Sequence, residues 1–220
     1  MMIKGKYTPF TGWFFEQYSK WHMKKVYRSI RYIAVNPPGE DLFMSGTGRP
    51  ILLVSNHFSF WDGFNHIMLN RRTFKRTMNI MMLHEQLSKR KFLRYTGAFS
   101  LDKGNRGVIE GLRHSVELLK DRNNMLLIFP QGEIQSIYTR NFVFERGLEF
   151  IVANTPGIQI IFNVNLLNFF SERKPTLTMY LKEYIPQKDD KIAHLEQEFN
   201  LFAVECFNSE SPREKGVKII

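Results

Sequence analysis

Residues 49–62 read RPILLVSNHFSFWD, an apolar run that passes directly into polar and aromatic residues. The four aliphatic residues before Ser55 predict a buried strand, because a strand covered on both faces carries an uninterrupted apolar run. A helix is expected to begin near Trp61 or Asp62, so the residues between form a strand-to-helix turn. In open α/β sheets, sites form where the carboxyl ends of strands pass into loops. This stretch therefore predicts an α/β fold and the place of its site.

Short apolar runs alternate with helical patterns along the rest of the chain. Strands are expected at 77–83, 98–101, 125–129, 158–164 and 176–181, and helices at 85–94, 106–120, 144–153 and 191–207. This alternation predicts an α/β fold with a mainly parallel central sheet flanked by helices. We expect one domain over residues 1–220, with the motif-bearing core at 50–165.

The first 36 residues are expected to form an aromatic and basic helical segment. Over residues 13–35, Trp, Phe and Tyr recur with Lys and Arg at helical spacing, and Pro37-Pro38-Gly39 is expected to end the helix. One interpretation is an amphipathic helix in a membrane interface, with its aromatic rings at headgroup depth. The other is an amphipathic helix packed on the domain with a solvated basic face, and periodicity alone does not separate the two.

The composition favours an anionic partner. Lys and Arg number 31 against 21 Asp and Glu, a net charge of +10. A membrane surface with anionic lipids, an anionic co-substrate and nucleic acid all carry such charge. Nucleic acid is not expected, because the basic residues are spread along the chain without a recognised binding motif. The only cysteine, Cys206, cannot form an internal disulfide, which favours a reducing compartment.

Peripheral rather than integral membrane association is expected from the apolar segments. The longest uncharged stretch, 150–171, contains Thr155-Pro156-Gly157 and four asparagines, so it predicts a helix end, a turn and a buried strand. The first residues carry charges and lack the apolar run of a signal peptide. If the protein meets a membrane, we expect it to lie on the surface.

His57 and Asp62 form the candidate catalytic pair. On one continuous helix, side chains five positions apart would point roughly 140° away from each other, but on a strand-to-helix turn they can meet. A carboxylate that accepts the proton of one imidazole nitrogen fixes the tautomer, and the other nitrogen can then act as a base. Taken alone, such a pair is more often a structural histidine that caps a helix. No grouping of His, Cys, Asp and Glu has zinc-like spacing, so no metal is expected.

Four stretches, in order, resemble the conserved blocks of glycerolipid acyltransferases. The first is similar to the HxxxxD block, and the others to the second block, the third block and the basic-glycine segment. They are 56–62, 97–103, 129–132 and 144–147, and the predicted strand 158–164 stands in the place of the fourth block. The resemblance implies acyl transfer from a thioester, acyl-CoA or acyl carrier protein, to a hydroxyl of a lipid acceptor. It implies His57 as general base and Asp62 as its orienting partner, on the cytoplasmic side of the membrane, without a further cofactor.

The third block departs from the family pattern in ways that concern the acceptor. Gln131 stands where Glu is usual, Glu133 where Thr is usual, and Ile134 where Arg is usual; Lys103 in the second block also replaces Arg. Isoleucine cannot replace the planar, bidentate phosphate contact of arginine. The sequence therefore predicts an acceptor without phosphate at that place.

Two alternatives stay open beside this prediction. Cationic side chains elsewhere, Lys103, Arg106, Arg140 or Arg146, could grip a phosphate instead. The chain could also be a catalytically inactive lipid-binding or scaffolding relative. The candidate substrate-binding residues share a position in or beside the blocks: Asn56, Lys103, Arg106, Gln131, Gly132, Glu133 and Arg146.

Overall fold

A computed structural model describes residues 2–35, 48–102, 105–186, 191–210 and 216–219, with only the backbone of Asn105 and Arg106. Within these ranges the helices are α1 (Pro9–Val26), α2 (Asp62–Arg72), α3 (His84–Lys89), a 3-10 helix (Lys91–Thr96), α4 (Asn105–Leu118), α5 (Gly147–Ala153) and α6 (Ile192–Ser209). The strands are β1 (Ser29–Ala34), β2 (Ile51–Ser55), β3 (Thr77–Leu83), β4 (Ala98–Leu101), β5 (Asn124–Ile128), β6 (Gln159–Asn168), β7 (Thr176–Tyr184) and β8 (Val217–Lys218).

All the described strands belong to one sheet in the order β4-β3-β5-β2-β6-β7-β1-β8. The five strands from β4 to β6 are parallel, and β7 pairs with β1 in parallel as well. Among the described strands, only the pairings β6–β7 and β1–β8 are antiparallel. The predicted mainly parallel α/β sheet is confirmed. Strand β2 lies between β5 and β6, where the strand order reverses, and a crevice forms at the carboxyl end of such a strand.

The sheet is covered on both faces by helices, and β2 is buried throughout. Leu53 packs with the apolar side chains of α1 and α2 on one face. Leu52 and Val54 pack on the other face with the helices α4, α5 and α6, whose Phe199 is fully buried. The uninterrupted apolar run in β2 therefore fills two cores at once, and it fixes the turn that follows it.

The N-terminal segment differs from its prediction. The helix ends at Val26, and residues 29–34, expected to be helical, form β1, whose partner strands are β7 and β8. The predicted N-terminal helix is confirmed, but its extension to residue 35 was wrong, because strand pairing with residues about 145 positions away overrides a local helical pattern. The expected stop at Pro37-Pro38-Gly39 lies outside the described residues.

Two other helix predictions were inaccurate at their boundaries. The single helix expected at 85–94 is divided into α3 and the 3-10 helix, with Arg90 between them at φ −133° and ψ 57°. The helix expected from residue 144 begins only at Gly147. In the part of the chain that the structure describes, no helix combines the length and the apolarity needed to cross a bilayer.

Candidate active site

The turn between β2 and α2 brings His57 and Asp62 together. Nδ1 of His57 lies 2.8 Å from Oδ2 of Asp62. Asp62 is the first residue of α2 and is completely buried, whereas the His57 side chain is 19% exposed. A base must reach a substrate, and its orienting partner must be held rigidly, so this difference in exposure suits the two roles.

A single carboxylate oxygen of Asp62 organises the turn. Oδ2 also accepts hydrogen bonds from the backbone N–H groups of Phe58, at 2.8 Å, and Ser59, at 2.9 Å. Because a carboxylate only accepts, the neutral His57 ring carries its proton on Nδ1 and its lone pair on Nε2. Nε2 has no hydrogen-bond partner among the described residues. The other oxygen, Oδ1 of Asp62, is buried and unpartnered within the described part of the chain.

The segment after β5 holds His57 from its other side. The Phe129 ring stacks on the imidazole with ring centroids 4.0 Å apart and an interplanar angle of 15°. The N–H of His57 donates to Oε1 of Gln131 at 2.8 Å, and the carbonyl of His57 accepts from the N–H of Gln135 at 2.9 Å. The ring plane and the backbone of His57 are therefore fixed by the third block.

The structure places Gln131 in a supporting position. Its side chain is buried, its Oε1 faces His57, and its Nε2 donates to Oε1 of Gln135 at 2.6 Å. Both ends of the amide are thus engaged within the protein. Glu133 is exposed beside it, and its carboxylate accepts a long hydrogen bond of 3.4 Å from Gln135. Glu133 therefore presents an exposed carboxylate that an acceptor could approach.

Gly132 makes the sharp bend that this arrangement needs. Its φ is +72°, a left-handed conformation, and a Cβ there would lie 3.2 Å from Cγ of Glu145. Its N–H donates to the carbonyl of Phe129 at 3.1 Å, so that donor is already used within the turn. The N–H of Glu145 donates to the carbonyl of Pro130 at 2.8 Å, which joins the basic-glycine segment to the third block.

Asn56 connects β2 to β6 at the carboxyl edge of the sheet. Its Nδ2 donates to the carbonyl of Asn165 at 3.1 Å, and its Oδ1 accepts from the N–H of Asn165 at 2.7 Å. These contacts extend the strand pairing by one residue beyond Ser55, and Asn56 is buried. Its amide is therefore occupied by the backbone of β6.

A buried histidine below the pair was not singled out by the sequence as part of the site. His66 is completely buried, with Nδ1 2.6 Å from the carbonyl oxygen of Asp62 and Nε2 2.7 Å from Oδ1 of Asn163. Burial lowers the pKa of His66, and it outweighs the hydrogen bonds to Asp62 and Asn163 that favour the charged form. The sequence offered no signal for this network, because Asn163 is 97 residues away.

The candidate cations occupy less defined positions. Arg146 is exposed at the start of α5, and Arg140 is exposed with its guanidinium 3.8 Å from the centroid of the Phe207 ring. Lys103 and the side chain of Arg106 lie outside the described residues, so their predicted part in the site stays a prediction. Among the described side chains, no group of three or more His, Cys, Asp or Glu is arranged to hold a metal ion.

The family model described as Acyltransferase matches residues 34–162, which is 129 of the 220 residues. The chain belongs to this acyltransferase family. The matched region runs from the end of β1 into β6 and contains all four blocks, which confirms the resemblance to glycerolipid acyltransferases. A comparison with curated proteins finds none that matches this acyltransferase.

Proposed function

We propose that the acyltransferase moves an acyl group from a thioester donor, acyl-CoA or acyl carrier protein, to a hydroxyl of a lipid acceptor. His57 is the general base in this proposal and Asp62 its orienting partner. The supporting observation is the 2.8 Å contact between Nδ1 of His57 and the buried Asp62 carboxylate, which leaves Nε2 as the basic nitrogen in a partly exposed ring.

The proposed reaction needs no covalent acyl-enzyme. Nε2 of His57 takes the proton of the acceptor hydroxyl while the hydroxyl oxygen attacks the thioester carbonyl carbon. The carbon–sulfur bond then breaks, and the imidazolium returns the proton to the leaving thiolate. General-base catalysis of this kind typically raises the reaction rate about 10²–10⁴-fold. Cys206 is unsuited to be a nucleophile, because it lies on the buried face of α6 and burial raises the pKa of its thiol.

We propose an acceptor that carries no phosphate next to the third block. Ile134, which stands where the family usually has arginine, is 53% exposed and offers no charge to a phosphate. Glu133 and Gln135 beside it present oxygen and nitrogen atoms suited to hydroxyl groups. A glycolipid or another hydroxylated lipid fits this chemistry better than lysophosphatidic acid. The competing proposal is a phosphate grip by the exposed Arg140 or Arg146.

We further propose that the acyltransferase works as a peripheral protein on the cytoplasmic side of a membrane with anionic lipids. The net charge of +10 and an exposed row of aromatic side chains on α1 support this. Both features suit a surface that meets headgroups and the ends of acyl chains. They do not distinguish acyl-CoA from acyl carrier protein, since both donors are anionic.

The experiment measures thiol release from an acyl thioester by the purified protein with different acceptors. Uncharged hydroxylated lipids and lysophosphatidic acid are compared, with the His57→Ala variant as control. Turnover by the wild type that is lost in His57→Ala supports the proposed base. A strong preference for lysophosphatidic acid would refute the proposal of a phosphate-free acceptor and support phosphate binding by Arg140 or Arg146.

The altered third block also favours a second candidate, an inactive lipid-binding relative. In that case neither donor with any acceptor gives turnover, while wild type and His57→Ala bind lipid equally well. The same assay therefore decides between an enzyme and a scaffold. Circular dichroism of both proteins establishes that a missing activity does not come from a missing fold.

A further inference from the structure

Helix α1 has two faces of different character. Phe15, Ser19 and Met23 are buried against the domain. On the opposite side lie aromatic side chains that are each more than half exposed: Phe10, Trp13, Phe14 and Trp21. At about 100° per residue, these four fall within an arc of roughly 100°. The helix therefore packs on the domain and also presents an aromatic row outward, which joins the two interpretations that its sequence left open.

A cavity of about 330 Å³ lies beside the first turn of this helix. It opens to the surface and is bordered by the start of α1, the end of α2 and the start of β3, and its apolar lining includes Phe15 and Met78. Trp13 and Tyr7 line the cavity and are also exposed, so the cavity and the aromatic row share a wall.

The charges in the cavity favour an anion. Arg71, Lys75 and Arg76 line it together with one carboxylate, Glu16, so two positive charges are in excess. Glu16 is paired with Arg71 at 3.1 Å. Among the described residues, Lys75 and Arg76 have no ion-pair partner, so both cations are available to a ligand.

Arg76 is prepared for a ligand that accepts hydrogen bonds. Its N–H and carbonyl are both held by the Asn70 side chain, at 3.0 Å and 2.8 Å. Its side-chain Nε is buried and has no partner within the described part of the chain. An unsatisfied buried donor on a charged group is costly, and a phosphate oxygen would satisfy it.

We infer that this cavity binds the phosphate headgroup of an anionic bilayer lipid while the aromatic row of α1 lies in the membrane interface. A free anion such as inorganic phosphate would use only the cations of the cavity and not the aromatic row. A lipid also explains why the cavity adjoins exposed tryptophan and phenylalanine, since aromatic side chains favour headgroup depth. The inference rests on the proposed action at a membrane surface.

The cavity is separate from the proposed acceptor position. Helix α2 begins at Asp62 in the catalytic turn and ends at Arg72 near the cavity, and its eleven residues span about 16 Å. Helix α1 connects the two ends, because its His22 ring stacks on Trp61 of the turn with centroids 3.8 Å apart. A lipid in the cavity would thus orient the catalytic turn at the membrane without competing with the acceptor.

The test compares Arg76→Gln with Arg72→Gln in vesicle co-sedimentation. Arg72 is the last residue of α2, four positions before Arg76; it is exposed and does not line the cavity, and its variant loses the same charge. Vesicles are made of phosphatidylcholine alone or with phosphatidylglycerol in a ratio of about two to one. Removing one cation near an anionic surface weakens binding about fivefold. We expect Arg76→Gln to weaken binding to the anionic vesicles at least about tenfold, beyond that surface effect, and Arg72→Gln to stay within the surface effect.

Three results would overturn the inference. Equal losses in both variants would indicate diffuse electrostatic attraction, and unchanged binding of Arg76→Gln would show that the cavity is not used. A third result would indicate a site for a free anion: Arg76→Gln loses the rise in melting temperature that inorganic phosphate causes, but binds vesicles as well as the wild type. Lys75→Gln, a second cavity variant, is expected to behave like Arg76→Gln, which guards against a folding defect in one protein.

Failure of this inference can be told apart from failure of the proposed function. Vesicle binding does not require turnover, so it is measured with His57→Ala as well as with the wild type. Vesicle binding that depends on Arg76, in a protein without acyl transfer, would refute the enzyme and keep the lipid site. Acyl transfer with vesicle binding that is indifferent to Arg76 would refute the lipid site alone.

Discussion

Replacing Asp62 by asparagine isolates the charge of the catalytic turn. Three donors converge on Oδ2 of Asp62, from His57, Phe58 and Ser59, whereas Oδ1 is buried without a described partner. Asparagine can place its carbonyl oxygen at the Oδ2 position and keep all three hydrogen bonds. Its amide nitrogen then takes the place of Oδ1. Asp62→Asn should therefore preserve the tautomer and the orientation of His57 and remove only the negative charge.

The size of the effect follows from the distance between the two groups. With 2.8 Å between Nδ1 and Oδ2, the centres of the imidazolium and carboxylate charges are about 4 Å apart. At an effective dielectric constant of about 20, this attraction is about 4 kcal/mol. Each 1.36 kcal/mol corresponds to about tenfold in rate. Because the proton is only partly transferred in the transition state, kcat should fall by about 10²–10³-fold.

The assay is a double-mutant cycle on kcat for thiol release at saturating acceptor. It uses wild type, Asp62→Asn, His57→Ala and the double variant, with thermal unfolding as the control for folding. Without His57 no imidazolium forms, so Asp62→Asn should change the rate of His57→Ala by less than about threefold. Full activity of Asp62→Asn, or effects that multiply in the double variant, would refute the assigned roles.

Three further outcomes are expected. Gln131→Ala should lower kcat about tenfold and leave the acceptor KM nearly unchanged, because the Gln131 amide accepts the backbone N–H of His57 in the wild type. A rise in KM alone would instead support a substrate-binding role for Gln131. Burial lowers the pKa of His66 from 6.5, so below pH 6.5 the unfolded chain binds more protons and the free energy of unfolding should fall as pH drops. In urea titrations at several pH values, His66→Gln should show a smaller fall than the wild type. Equal slopes of unfolding free energy against pH in the two proteins would contradict this. Gly97→Ala should lower the free energy of unfolding by about 3 kcal/mol or more, because φ of Gly97 is +92° and the new Cβ would lie 2.0 Å from the carbonyl oxygen of Met78. Urea unfolding measures this, and a decrease below about 1 kcal/mol would show that the backbone can adjust.

The fold was predictable where a segment carries its own signal. The apolar run in β2 and the alternation of strands with helices indicated a mainly parallel sheet, and the structure agrees. Strand β1 was missed because residues 29–34 carry a helical pattern, and their partner strand β7 lies about 145 residues away. A local pattern contains no information about which distant strand will pair with it.

The same distinction applies within the site. His57 and Asp62 are five residues apart, so a turn after a buried strand was enough to predict that they could meet. The positions of Gln131 and Asn56 were not predictable, because their partners lie 74 and 109 residues away along the chain. Both were expected to contact a substrate. In the structure the Asn56 amide bonds to the backbone of Asn165, and the Gln131 amide bonds to the backbone of His57 and the side chain of Gln135.

By itself, the sequence determined the chemical groups, the central strand and the charge, since these depend on residue types and on neighbours along the chain. Tertiary structure alone decided which lone pair remains available on His57, and which cations of α2 and of its connection to β3 line the cavity beside the aromatic row of α1. Burial, hydrogen-bond partners and the walls of a cavity arise only when distant segments pack together. A carboxylate becomes an orienting partner, and an arginine becomes a ligand, through the neighbours that folding supplies.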